Sequence, residues 1–164
     1  YDVSEVRIEG RMGEKIVIQN RRARHDYHVL EKHEAGIELR GTEVKSLRAG
    51  HIVLKDAYAD VQGGEMFLVG VHINPYEQGT VWNHEPERRR KLLLHKREIE
   101  KLGTQVAEKG YTLVPLSVYF KEGRAKVEIG LCKGKQTFDK RDTIRDREIK
   151  REIDRAMKDT RRSK

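Results

Sequence analysis

The sequence predicts a mainly β domain, a small closed barrel with helices packed outside it, followed by a basic extension that has no core of its own. Three observations carry this reading. Short β-branched or alternating runs recur between residues 15 and 131, punctuated by glycine turns at Gly63-Gly64 and Glu122-Gly123. Helical periodicity is confined to a few windows. Residues 133–164 hold thirteen Lys and Arg against seven Asp and Glu, a net of +6, so only +2 of the chain's +8 falls on residues 1–132. The expected organisation is one folded domain over 1–132 and a tail over 133–164.

Each element follows from a local pattern. Residues 15–19 (KIVIQ) form a β-branched run. Residues 27–30 and 37–39 flank an expected turn at Glu34-Ala35-Gly36, and Gly41-Thr42 breaks the pattern. Thr42 is positioned to cap a helix over residues 43–49, with Val44 and Leu47 inward and Gly50 closing it. Residues 56–61 and 65–73 alternate around Gly63-Gly64 as a hairpin. A polar loop runs from Asn74-Pro75 to about Pro86, which suits the first turn of a helix. Leu92, Ile99, Leu102 and Val106 then mark one face of a helix or of two short ones, with Gly103 weakening the middle and Gly110 ending it. Residues 111–120 and 125–131 make a second strand pair.

In the tail, Ile144, Ile149, Ile153, Ala156 and Met157 are nearly all the apolar material. That is too little to offset an ordering cost of about 1–2 kcal/mol per residue, so the tail is expected to be disordered when free. A solvated cationic tail on a nearly neutral domain calls for a polyanion, nucleic acid before membrane. No apolar run approaches the ~18 residues of a membrane span, and no signal-peptide pattern opens the chain. Tyr1 is not an initiator Met, so residues are expected to precede it. Cys132 is the one cysteine, which excludes an internal disulfide and a Cys-rich zinc site and suits a reducing cytoplasm.

Catalytic readings fare poorly. The run from Gly130 to Lys135 has three residues between its glycines where a phosphate-cradling loop needs four, and Gln136 replaces the magnesium-binding hydroxyl. It reads instead as flexible cationic backbone. His25 and His28 would face opposite sides of a strand, and with His33 they read as surface histidines rather than ligands. Nothing fixes Asp56, Asp60 and Glu65 in one cleft. The expectation is no enzyme, no metal and no cofactor. Binding readings fare better. In NRRARHDY (20–27), arginine forks suit phosphates while His and Tyr rings can stack on unpaired bases. Arg88-Arg89-Arg90-Lys91 at an expected helix start would oppose the helix dipole by about 0.3–1 kcal/mol per charge, a penalty that an anionic partner removes.

Six segments, in this order, resemble the SsrA-binding protein family, the partners of bacterial transfer-messenger RNA. They are NRRARHDY (20–27), EAGIELRGTEVKSLRAG (34–50), GEMFLVGVHINPY (64–76), RRRKLLLHKREIEKL (88–102), GYTLVPLSVYF (110–120) and KVEIGLCKGKQTFDKR (126–141). The resemblance implies an OB-fold-like barrel without a catalytic site. It would bind the tRNA-like domain of transfer-messenger RNA and bring it to stalled ribosomes for peptide tagging and rescue. It implies a cytoplasmic, monomeric protein, with elongation factor Tu and alanyl-tRNA synthetase acting on the same RNA. A general ribosome-associated barrel or RNA chaperone is the alternative. Carried over by position, the RNA face comprises Asn20, Arg22, His25, Glu34, Leu93, His95, Lys126, Gly134 and Lys135. The basic residues of the same motifs, Arg24, Lys45, Arg48, Arg90, Lys91 and Lys133, complete it. His95 stands where relatives often carry Asn, and Phe138 where they carry His or Tyr. Glu34 would be repelled by phosphate, so it needs ribose 2′-hydroxyls or base donors. Phe138, Asp139, Lys140 and Arg141 would meet the decoding centre. Ile149, Ile153 and Met157 would line one face of a helix formed in the messenger channel.

Overall fold

A computed structural model describes residues 14–78, 83–135 and 137–162; for residues 137–143 and 161–162 it describes the helical backbone alone. The elements are β1 (Glu14–Gln19), α1 (Arg21–Asp26), β2 (Tyr27–Ile37), α2 (Gly41–Arg48), β3 (Ile52–Val53), β4 (Tyr58–Gln62), β5 (Glu65–Val69), β6 (His72–Ile73), β7 (Arg90–Leu93), α3 (Lys96–Lys109), β8 (Thr112–Lys121), β9 (Arg124–Gly134) and α4 (Thr137–Arg162). The architecture is mainly β sheet with flanking helices.

The long β8–β9 hairpin is the spine. It turns at Glu122 and Gly123, both left-handed with φ of 52° and 76°, which is why glycine follows there. β1 pairs with β8, and β2 pairs with β9 from Tyr27 opposite Gly134 to Gly36 opposite Lys126. The end of β2 also meets β7, which pairs with β5; β5 forms a hairpin with β4. β4 returns to β8 through one residue pair, Ala59 opposite Leu113. β3 and β6 form a separate two-stranded sheet. Ala35, Met66, Leu68, Ile73, Leu92, Leu102, Val127 and Ile129 form the main core. A smaller cluster of Ala23, Val114, Leu116 and Cys132 lies beneath α1.

Several expectations are corrected. No turn interrupts residues 34–36: β2 is continuous, because Ala35 and Gly36 stay in register with Val127 and Lys126. The smallness of Gly36 serves close packing instead, since an added Cβ would lie 3.2 Å from Leu93 Cβ. Gly103 does the same on α3, where a Cβ would lie 3.2 Å from Val61. The helix expected from Pro86 begins ten residues later, at Lys96, and residues 90–93 are strand. The apolar spacing that suggested one helix or two short ones runs across a strand and a helix, both burying into the same core. Helix α2 starts at Gly41 rather than after Thr42; the Glu43 carboxylate accepts the Arg40 N–H at 2.9 Å, while the Thr42 hydroxyl bonds His84 Nδ1 at 2.8 Å. The run at 130–134 is paired strand, not flexible backbone: Gly130 lies where a Cβ would approach Leu116 Cδ1 to 2.8 Å. Because β9 extends to Gly134, the extension begins after 134 rather than at 133.

The largest correction concerns Arg90. It is wholly buried, as is Glu43, and its Nε donates to Glu43 Oε2. Its other nitrogens donate to the Val71 carbonyl at 2.9 Å and the Pro86 carbonyl at 3.0 Å, while Arg88 Nη2 donates to Glu43 Oε1 at 2.6 Å. Burial pushes the Glu43 carboxyl up, but the bonds from Arg88, the Arg40 N–H and Arg90 outweigh it and hold the group below its ordinary value. Arg90 therefore cannot belong to a surface RNA contact. The dipole argument for residues 88–91 also falls, because no helix starts there.

Leaving one of these charges without its partner costs about 3–5 kcal/mol. Glu43→Leu and Arg90→Met are each expected to lower the unfolding free energy from urea titration by that margin, while the double variant recovers much of it. The depressed Glu43 pKa adds stability above the unfolded carboxylate value, and that stability is lost as pH falls through the folded value. Urea titrations between pH 3 and 7 should show this dependence in the parent protein and its loss in the double variant.

Candidate nucleic-acid interface

The expected contacts separate into two groups at opposite ends of the β2–β9 ribbon. Nine residue steps of strand separate Tyr27 from Gly36, so the groups stand up to about 30 Å apart.

The first group surrounds a cleft of about 640 Å³ between the end of β2, β7 and the start of α3. Glu34, Lys91, Leu93, His95 and Lys126 all line it. Strand alternation explains why Leu92 is core at 1% exposure while Leu93 faces out at 48%. Leu93 is thus a surface residue rather than core. Lys91 reaches Glu65 at 3.2 Å, an exposed pair that a phosphate can displace at little cost. His95 is the N-cap residue of α3, yet its exposed ring makes no capping bond. Glu34 Oε2 accepts the Tyr119 O–H at 2.5 Å and lies 3.4 Å from Lys121 Nζ. The bond from Tyr119 outweighs burial and, with Lys121 and Lys126 nearby, holds the Glu34 carboxyl below its ordinary value.

The second group is built on α1 and the end of β9. Asn20 is the N-cap of α1: its Oδ1 accepts the Ala23 N–H at 3.1 Å, and its Nδ2 donates to the Pro115 carbonyl at 3.0 Å. Both ends of this amide are occupied inside the protein, so its first role is to seat α1 on β8. Arg22 is exposed and meets Asp26 at 3.4 Å; Arg24 is exposed, and His25 Nδ1 lies 2.9 Å from Asp26 Oδ1. Lys135 closes the group, its N–H donating to the Asp26 carbonyl at 2.8 Å and its Nζ to the Arg24 carbonyl at 3.1 Å. Lys133 and Gly134 are exposed at the strand end, and no atom lies within 4 Å of a Cβ added at Gly134. A depression of about 240 Å³ between α1 and the start of β4 adds Lys55 and Tyr58 to Asn20 and Arg22.

Lys45 and Arg48 line neither hollow; they lie over the Tyr76 and Phe120 rings at 5.2 and 6.0 Å. Arg90 is internal. On α4, Ile149, Ile153 and Met157 are 48–59% exposed on a helix whose described side chains all face solvent. The side chains of Phe138, Asp139, Lys140 and Arg141 lie outside the described residues. Sequence reasoning did not single out Lys96, which lines the first cleft, nor Lys55, Tyr58 or Tyr119. Lys96 sits within a quoted motif, but nothing in local sequence indicates that Tyr119 reaches Glu34, 85 positions away.

Comparison with known proteins is consistent across sequence and structure. The SmpB protein family model matches residues 17–159. The SsrA-binding protein of Pelotomaculum thermopropionicum is 57% identical over 148 residues, covering 90% of this chain and 97% of that protein. That of Halalkalibacterium halodurans is 56% identical over 154 residues, covering 92% and 100%. A solved chain described as "tmRNA-SmpB: a journey to the center of the bacterial ribosome" superposes with a TM-score of 0.62 at 54% identity, covering 73% of this chain and 85% of that one.

Because Asn20 holds α1 in place, Asn20→Ala is expected to cost about 0.5–2 kcal/mol of stability, read by thermal denaturation. Gly134→Ala should leave the melting temperature unchanged or slightly raised, because the position has room for a methyl group.

Proposed function

The chain belongs to the SmpB, or SsrA-binding protein, family, and we propose that it is a non-catalytic adaptor that binds the tRNA-like domain of transfer-messenger RNA and delivers it to stalled ribosomes. The observation that carries this reading is the convergence of Glu34, Lys91, Leu93, His95 and Lys126 on one cleft from strands β2, β7 and β9 and the N-cap of α3. Together they supply four kinds of interaction with a structured RNA. The two lysines neutralise phosphates, and the release of their counterions drives association. Leu93 packs on a base or sugar face, and the His95 ring stacks or donates. Glu34 accepts from hydroxyl or amino groups, which phosphate-only binding would never reward.

The circuit of pairings from β8 through β4, β5, β7, β2 and β9 back to β8 is the closed, OB-like barrel of this reading. A rigid barrel with a cleft at one end of the β2–β9 ribbon grips the RNA. At the other end, α1, Lys133, Gly134 and Lys135 stand where α4 departs, so this end faces the ribosome. The basic extension enters the vacant messenger channel, and its Ile149, Ile153 and Met157 stripe packs there. On α4 that stripe is exposed, so binding in the channel is what gives it a packing surface. Phe138, Asp139, Lys140 and Arg141 meet the decoding centre in this scheme. The protein acts as a cytoplasmic monomer without cofactor, and elongation factor Tu and alanyl-tRNA synthetase use the same RNA.

Gel-shift competition tests the reading: the tRNA-like domain should outcompete an unrelated RNA of matched length at physiological salt, and equal affinity would reject it. Lys126→Glu is expected to weaken RNA binding by about 1.5–3 kcal/mol, roughly tenfold to a hundredfold in Kd, with an unchanged circular dichroism spectrum. Deleting residues 138–164 should leave that Kd almost intact while abolishing peptide tagging on stalled ribosomes.

A further inference from the structure

Glu34 is the one carboxylate among the expected RNA contacts, and the structure shows why its orientation is not left to chance. Glu34 on β2 stands opposite Glu128 on β9, and Tyr119 on β8 stands opposite Lys126 on β9. Strand β9 therefore separates Tyr119 from Glu34. Adjacent strands lie about 4.8 Å apart, so the phenol crosses the width of β9 to deliver its O–H. The Tyr119 side chain is covered along this path, with 6% of the residue exposed. Its O–H and Lys121 Nζ both address Oε2 of Glu34. Among the described residues no donor reaches Oε1, and Glu34 lines the cleft. A gripped carboxylate with one open oxygen can only accept hydrogen bonds.

We propose that Tyr119 is a positioning residue that fixes Glu34 so that its open oxygen accepts the 2′-hydroxyl of a ribose whose phosphate rests on Lys126, making the cleft selective for RNA over DNA. This rests on the adaptor reading above and adds to it a residue and a discriminating chemical group. The 2′-hydroxyl is the donor that accompanies every RNA phosphate and is missing from DNA. Burial and the neighbouring Glu34 push the Tyr119 phenol up, so the proton stays on tyrosine and the carboxylate stays ionised. Lys121 of β8 and Lys126 and Glu128 of β9 flank the pair; Lys121 also reaches Glu14 of β1 at 3.8 Å. Across the cleft stand Glu65, Lys91, His95, Lys96 and Glu98.

The test measures Kd of the full chain for the tRNA-like domain of transfer-messenger RNA, all-ribose and with single 2′-deoxy substitutions. Tyr119→Phe keeps the ring and removes the O–H. It should weaken binding to all-ribose RNA about tenfold and have no further effect on the one deoxy RNA that already binds about tenfold more weakly to the parent protein. Glu34→Ala should give the same loss, with Tyr119→Phe adding nothing on top of it. As pH falls, protonation of Glu34 weakens binding; in Tyr119→Phe that midpoint rises toward the ordinary carboxylate value, so weakening begins at higher pH. An unchanged Kd in Tyr119→Phe, additive losses, or a parent protein indifferent to every deoxy substitution would overturn the proposal. If Tyr119→Phe does not fold, carbon-13 titration of Glu34 in the parent decides: a midpoint at or above about 4.3 rejects the proposal, a lower one supports it. Failure of the adaptor reading looks different, as the parent would then show no preference for the tRNA-like domain.

Discussion

The buried Glu43 carboxylate is the constraint on which the rest of the structure leans. It caps α2 through the Arg40 N–H, and it receives Arg88 and Arg90 from the segment leading into β7. Arg90 in turn bonds the Val71 and Pro86 carbonyls, so one charge cluster ties α2, the chain after β5 and β7 together. In a mostly apolar interior such charges are tolerated only when they are paired and hydrogen-bonded to their neighbours. Once Arg90 is anchored inward, strand alternation sends Lys91 out, Leu92 in and Leu93 out. The cleft face of β7 is a consequence of that anchor.

The second organising element is the β2–β9 ribbon. Its length separates a cleft suited to a folded RNA from a cationic end where the basic extension departs. The two ends are joined by an antiparallel ladder whose register shifts once, between Val29 and Glu31, and the β8–β9 hairpin backs it. Only α4 stands off this frame, its described side chains exposed throughout.

How far the sequence could be read varied with the range of the interactions involved. Both glycine-turned hairpins and the end of α3 at Gly110 were legible, because turn chemistry is local. The residues 86–94 were not. Leu92 and Ile99 share an interval that fits a helix, and nothing nearby shows that Arg90 has a partner 47 positions away. Gly36, Gly103 and Gly130 read locally as turns, breaks or flexibility, whereas each permits a close approach by a distant side chain. Of the cleft, Glu34, Lys91, Leu93, His95 and Lys126 could be named beforehand through family resemblance. Lys96 and the Tyr119 bond could not.

The sequence by itself determined the mainly β character, the segregation of positive charge into the last thirty or so residues, and the family. These depend on composition, period-two patterning and contiguous motifs, which survive without knowing any long-range contact. Tertiary structure decided which basic residues are available to a partner, because a guanidinium looks the same in sequence whether it meets solvent or a buried carboxylate. It also decided that five residues from three strands and the N-cap of α3 share one cleft, since only strand pairing brings positions 34, 91 and 126 side by side.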